Sequence, residues 1–359
     1  MRVEEVLTDL VLLGSTSEDP IERIIDYVSS RLRRIGIEPR LRGTKERPAI
    51  IAQFGHKGVV LSGHLDTVPL GTGWNHEQAE VSNGYVFGRG SCDMKGGCTA
   101  MLLAAEDLVA ANVPFTLCFT TDEETTMKGA AAAAKDPAVR SAPAILITEP
   151  SDFDIVVKEK GLLHFTLETK GKAAHASMPG LGDNAISKMV HLLGKLEDLQ
   201  RIPPDPVTEM TLSVDTIHGG TRINVIPSEC SAEVDVRYPL PLDPQGVVKL
   251  IADRVGTEGY ELRVLHQLDP VETDPRSTPV TTLANIIGDG AKVSAVPYAT
   301  EMVMFKGDNP RVLVCGPGEA KGCHIIDEKI ALAEVHKAIG IYVEYCSRMA
   351  EAMTTPLQG

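Results

Sequence analysis

The chain has 359 residues, 43% of them hydrophobic, enough for a large core and for two domains. Lys plus Arg number 35 and Asp plus Glu 49, a formal net charge of −14 with no basic block, which argues against nucleic acid or an anionic membrane as a partner. Residues 1–10 mix acids with apolar side chains, unlike a signal peptide, and no apolar run approaches the roughly 18 residues of a membrane span.

Residues 20–35 set apolar side chains at helical spacing behind Pro20, which suits a helix start. Residues 50–54 and 59–61 are short apolar runs bounded by glycine, the pattern of strands. Residues 96–111, rich in Ala, Leu and Met, predict a buried helix. Residues 115–121 and 144–148 predict further strands, each followed at once by acids. Strands separated by helices predict βαβ units and a mostly parallel sheet.

The pattern changes near Lys158. Residues 162–169 alternate like a half-solvated strand, and 184–199 predict a helix. Strands follow at 210–217 and 229–237, a helix at 243–255 and a strand at 260–265. That order, β-α-β-β-α-β, is the ferredoxin-like split βαβ, an antiparallel sheet covered on one side. Prolines across 269–279 mark a return linker, after which a strand at 311–315 and a helix at 334–349 restore the earlier character. The expected fold class is therefore α/β, a mixed and mostly parallel sheet domain built from 1–157 and 274–359. A smaller α+β domain is inserted at 158–273.

Five segments place an ionisable side chain just after an apolar run: His64 with Asp66, Asp93, Glu123 with Glu124, Glu149, and His324. Such side chains at strand ends converge on one crevice in an open α/β sheet. His64 and Asp66, two apart in an extended chain, face the same way, and a ligating imidazole usually gives its second N–H to a carboxylate. Asp93 lies among glycines and offers two oxygens, enough to bridge two cations. Glu123 and Glu124 diverge, so one can bind metal while the other serves as general base.

The ligand count gives His64, Asp93 and Glu149 to one ion and Asp93, Glu124 and His324 to the other. Three protein ligands each leave an open position, as in catalytic zinc sites, and cobalt or manganese also suits oxygen and nitrogen donors. Taken singly, each residue has an ordinary reading: an exposed His/Asp pair, a helix-capping Asp, a solvated acidic loop, an exposed loop histidine. Seven cysteines fit free thiols in a reducing cytosol. Cys92 and Cys323 adjoin two proposed ligands, but Asp93 and His324 are the stronger candidates.

With these residues in place the chain resembles the di-zinc family of acetylornithine deacetylase, succinyl-diaminopimelate desuccinylase, aminoacylase and carboxypeptidase G. The motifs are His64-Leu65-Asp66-Thr67-Val68-Pro69, Gly88-Arg89-Gly90 with Asp93-Met94-Lys95-Gly96, Asp122-Glu123-Glu124, Glu149-Pro150 and His324-Ile325-Ile326-Asp327-Glu328. They span nearly the whole chain. The resemblance implies that the inserted domain is a lid and forms a homodimer. It implies that His175 reaches the partner's active site to stabilise the reaction oxyanion, and that Asn224, Arg237 and Thr300 bind substrate. An arginine fork suits a carboxylate, with an ion pair on the lid surface as the alternative. Glu149 resembles the deacylase and carboxypeptidase members, which carry Glu where aminopeptidases carry Asp. Thr300-Glu301 is closer to the acetylornithine deacetylase pattern than to the Ser-Asp of desuccinylases, although Met302-Val303-Met304-Phe305 is more apolar than that pattern.

The implied function is a cytoplasmic amidohydrolase with two zinc ions. It removes an acetyl or succinyl group from a small N-acyl amino acid such as N-acetylornithine, N-succinyl-diaminopimelate or N-acyl-lysine. Glu123 is its general base, assisted by Asp66 and His175. The alternative is a metallocarboxypeptidase or dipeptidase with the same site.

Overall fold

The computed structural model describes residues 2–16, 18–196, 199, 205 and 207–354. They fall into two compact units, one within Met1–Val157, Thr273–Ser294 and Thr300–Gly359, the other within Lys158–Glu272 and Ala295–Ala299.

The first unit is a mixed α/β layer structure. Four strands run parallel at its centre, in the spatial order Phe115–Thr120, Val59–His64, Ile145–Ile147, Val312–Val314. They are buried along their length, which is why they read as continuous apolar runs rather than as alternating ones. Antiparallel strands flank them: Pro48–Phe54 and Arg40–Gly43 on one side, Ile155–Glu159 on the other. The Gly96–Ala110 helix is buried on almost every face. It packs on the sheet and against Arg2–Leu12 and the closing helix Leu332–Thr354. A helix apolar all round belongs inside a core. A Cβ on Gly97 would stand 2.3 Å from the Thr148 carbonyl oxygen, so glycine is what lets this helix lie directly on the end of the Ile145–Ile147 strand.

The second unit has the element order β-α-β-β-α-β. Its antiparallel sheet runs Thr211–Gly219, Glu229–Tyr238, Gly161–Lys170, Glu261–Leu268. Alternation sorts the faces: Leu163, Phe165, Leu167, Ala232, Val234 and Val236 enter the core under helices Ala185–Lys195 and Pro244–Val255. Asn184 and Asp243 cap those helices, accepting the Ser187 and Gly246 N–H groups at 3.1 and 2.7 Å. Of the helix expected over 184–199, residues 197 and 198 lie outside the described residues. No helix among the described residues is long and apolar enough to cross a membrane.

Candidate metal centre

The carboxyl ends of the parallel strands deliver the site. Val59–His64 ends on His64 itself. Beyond Phe115–Thr120 the chain turns through Asp122 at φ 76°, a left-handed value uncommon outside glycine. That turn is held from several sides: the Asp122 carboxylate accepts from the Thr125 and Thr126 hydroxyls and pairs with Arg47. Glu123 and Glu124 follow at once. Ile145–Ile147 leads to Glu149 through Thr148. Asp93 lies in the Ser91–Lys95 turn behind Gly90, whose φ is 80°. His324 sits on a loop at φ 61°.

These side chains converge. His64 Nε2 is 3.0 Å from Asp93 Oδ1 and 3.3 Å from Glu149 Oε1. His324 Nε2 is 3.2 Å from Asp93 Oδ2 and 3.0 Å from Glu124 Oε1. The two oxygens of Asp93 thus face different histidines. Three triads, each with donor atoms within 4.8 Å of one another, emerge among the described residues: His64/Asp93/Glu149, His64/Glu123/Glu124 and Asp93/Glu124/His324.

Buried carboxylates crowd one another here around two imidazoles. Burial pushes Glu149 up to about 8, and Asp93 adds to it. Burial likewise raises Glu123, reinforced by Glu149, Glu124 and Glu301. Asp93 is held well below the usual carboxylate range, because the two histidines outweigh its burial. Hydrogen bonds to Asp93 and Glu124 push His324 up to about 10. Four carboxylates and two imidazoles, all oxygen and nitrogen donors around one shared Asp, fit a pair of divalent cations.

Asp66 departs from the expected geometry. The acceptor within hydrogen-bond distance of His64 Nδ1 is the Asp66 carbonyl at 2.9 Å, while its carboxylate Oδ1 stands 3.7 Å away. Carboxylate Oδ2 instead accepts the Glu124 N–H at 3.1 Å. Asp66 therefore orients His64 through its backbone and Glu124 through its side chain. A cavity of about 340 Å³ borders Asp66 and Glu124, with Ser15, Thr16 and Arg47 also on its wall.

Thr300 is buried, and its hydroxyl accepts the Met302 N–H at 3.2 Å. The other three residues belong to the second unit. His175 is exposed, its Nδ1 2.7 Å from the Ser177 hydroxyl. Asn224 is exposed, and its carbonyl accepts the Ala176 N–H at 3.0 Å. Arg237 is half-buried and already forked onto Asp235, Nε to Oδ1 at 2.9 Å and Nη2 to Oδ2 at 3.0 Å. Asp235 also holds His164 at 2.7 Å.

Two acids carry more than the sequence suggested. Glu328 is fully buried, accepts the Cys92 and Asp93 N–H groups at 3.0 and 3.1 Å, and pairs with Arg89 at 2.7 Å. It fixes the turn that presents Asp93. Nothing in the sequence ties residue 328 to residues 89–93, which are far apart along the chain.

Glu301 is also fully buried, and neither carboxyl oxygen makes a hydrogen bond of good geometry. Burial pushes it from 4.5 up to about 7. Between those values the folded protein keeps a proton that the unfolded chain has released. Its contribution to stability therefore falls as pH rises through that window. With chelator present, Glu301→Gln should match the parent below about pH 4.5 and exceed it by about 3 kcal/mol near pH 8. Denaturant midpoints at both pH values check this. A gap that fails to widen with pH contradicts it.

Residues 60–348 match the family described as Peptidase family M20/M25/M40. A probable succinyl-diaminopimelate desuccinylase of Staphylococcus epidermidis is 28% identical over 373 residues, covering 90% of this chain and 92% of the relative. Aminopeptidase PepT from Bacillus cereus superposes with a TM-score of 0.80 at 20% identity, over 97% of this chain and 98% of that one. The M20 family metallo-carboxypeptidase Sso-CP2 from Sulfolobus solfataricus gives 0.78 at 19% identity, over 97% and 99%. At such identities the structural likeness speaks for the fold alone.

Proposed function

Because this chain belongs to Peptidase family M20/M25/M40, a family of metallo-hydrolases, we propose that it removes an acyl group from the amine of a small N-acyl amino acid. The observation that carries the reading is Asp93, whose two oxygens face His64 and His324 separately. In this reading His64, Asp93 and Glu149 hold one cation, and Asp93, Glu124 and His324 hold the other. Zinc is the first choice for both, with cobalt or manganese as substitutes. When bound, such a pair supplies Lewis acidity and acidifies water into the neutral range.

This chain's own residues do the rest. Asp66 keeps His64 in one tautomer by taking its Nδ1–H on the backbone carbonyl. Glu123, half-buried and with its affinity for a proton raised by desolvation and by neighbouring acids, accepts a proton from the attacking water and returns it to the departing amine. Thr300, Asn224 and Arg237 bind the substrate, and His175 donates to the oxygen on which negative charge develops. The bordering cavity gives room beside Asp66 and Glu124. Seven free thiols support a reducing cytoplasm.

A hydrolysis panel of acetyl and succinyl amino acids against dipeptides tests the reading. The N-acyl amino acids should be the faster class. Faster dipeptides would favour the second reading, a metallocarboxypeptidase or dipeptidase with the same site.

Arg237→Ala should raise KM for a free α-carboxylate more than it lowers kcat. Amidated substrates should show the same penalty with the parent enzyme. Unchanged kinetics on both would leave Arg237 as no more than the partner of Asp235.

The reading includes a homodimer built through the second unit, whose edge strands Thr211–Gly219 and Glu261–Leu268 each have one side to pair or cover. Mixing His175→Ala chains with Glu123→Ala chains should then restore activity. By site counting under two-fold symmetry, up to about half the parent value per mixed dimer is expected. No recovery after verified subunit exchange would mean that His175 does not act across a dimer.

A further inference from the structure

Two sulfurs meet beside the acidic cluster. Cys92 Sγ and Cys323 Sγ are 3.6 Å apart, and both approach the Glu319 carbonyl, at 3.7 and 3.6 Å. Cys92 is buried against Gly318, where a Cβ would stand 2.6 Å from its sulfur. Cys323 is only half-buried. The remaining five cysteines are buried, and no other thiol–thiol hydrogen bond occurs among the described residues.

The placement of the pair gives it a consequence. Cys92 precedes Asp93 in a turn that Glu328 holds through the N–H groups of both residues. Cys323 precedes His324, on the loop that brings Nε2 to Asp93 and Glu124. One sulfur is therefore anchored and the other rides on a more exposed segment. Drawing the sulfurs from 3.6 Å to a bonded distance of about 2.05 Å moves the exposed one, and His324 is the next residue.

We propose that Cys92 and Cys323 form a covalent modification site, in which a peroxide joins them as an intramolecular disulfide that draws His324 away from Asp93 and Glu124. Hydrogen peroxide is the two-electron acceptor. The Cys323 sulfur attacks a peroxide oxygen, giving a sulfenic acid and one water. The Cys92 sulfur then attacks that sulfur, the S–S bond forms, and a second water leaves. A dithiol reverses it by exchange. The effect on cation binding rests on the proposed metal centre, whereas the disulfide itself does not.

The test uses the full chain treated with hydrogen peroxide and mapped without reduction. The expected product is a linked pair of peptides carrying Cys92 and Cys323, with two of the seven thiols lost and regained with dithiothreitol. Cys323→Ser should give no linked peptide. Cobalt titration before and after oxidation should show affinity at the His324 site falling by about 10–100-fold and recovering on reduction, the usual scale for disturbing the surroundings of metal ligands. Oxidation of Cys323 to a sulfinic acid with Cys92 untouched overturns the modification site. A disulfide that leaves cobalt binding unchanged overturns the coupling. If the reduced protein binds no cobalt at all, the metal centre fails as a reading, and the disulfide stands or falls on the peptide map.

Discussion

Glu123→Ala should lower kcat by a factor of about 10²–10⁴ while the protein keeps its cations, the usual worth of a general base. That range corresponds to about 3–5 kcal/mol of barrier. Glu123 and Glu124 are neighbours in the chain, but they meet different partners. Glu124 Oε1 lies 3.0 Å from His324, and its N–H is held by Asp66. Glu123 shares a triad only with His64 and Glu124, and burial leaves it favouring its proton. Glu124→Ala should therefore lose metal as well as rate. Cation content and kcat measured on both variants separate the roles, and equal loss of metal from both would contradict the division.

Asp93→Ala should empty both cation positions, by more than the ~10–100-fold in affinity that loss of an outer partner costs. Its Oδ1 faces His64 and its Oδ2 faces His324, so one substitution removes a donor from each triad. Glu149→Ala and His324→Ala each touch one triad of the proposed pair and should leave the other position filled. Cobalt titration distinguishes one lost site from two. A variant lacking Asp93 that still fills one position normally would remove the bridging role.

The strands at 50–54 and 59–61 were legible because they are short, apolar and bounded by glycine, the other central strands because they are short apolar runs, and the buried helix because it is rich in Ala, Leu and Met. Arg2–Leu12 carries the same kind of mark, since Val3, Val6, Leu7, Leu10 and Val11 fall at helical spacing and are buried. The sheet is mixed, as expected. Its parallel centre is flanked by antiparallel strands, because hairpins such as Arg40–Gly43 with Pro48–Phe54 need only a short turn.

At the site, residue types showed where charge collects, since an acid directly after an apolar strand has few places to go. What holds those acids was not visible. Glu328 acts through backbone N–H groups far away in sequence, and Asp66 serves His64 through a carbonyl that any residue could offer. Backbone partners leave no mark in side-chain identity. The Asp235 that grips Arg237 is only two residues away, yet strand alternation alone does not say that the fork closes on it.

A two-cation site organised by Asp93 is decided by elemental analysis of active protein. About two divalent cations per chain are expected, with activity lost to chelator and restored by zinc or cobalt. Fully active protein holding no more than traces of metal would contradict it.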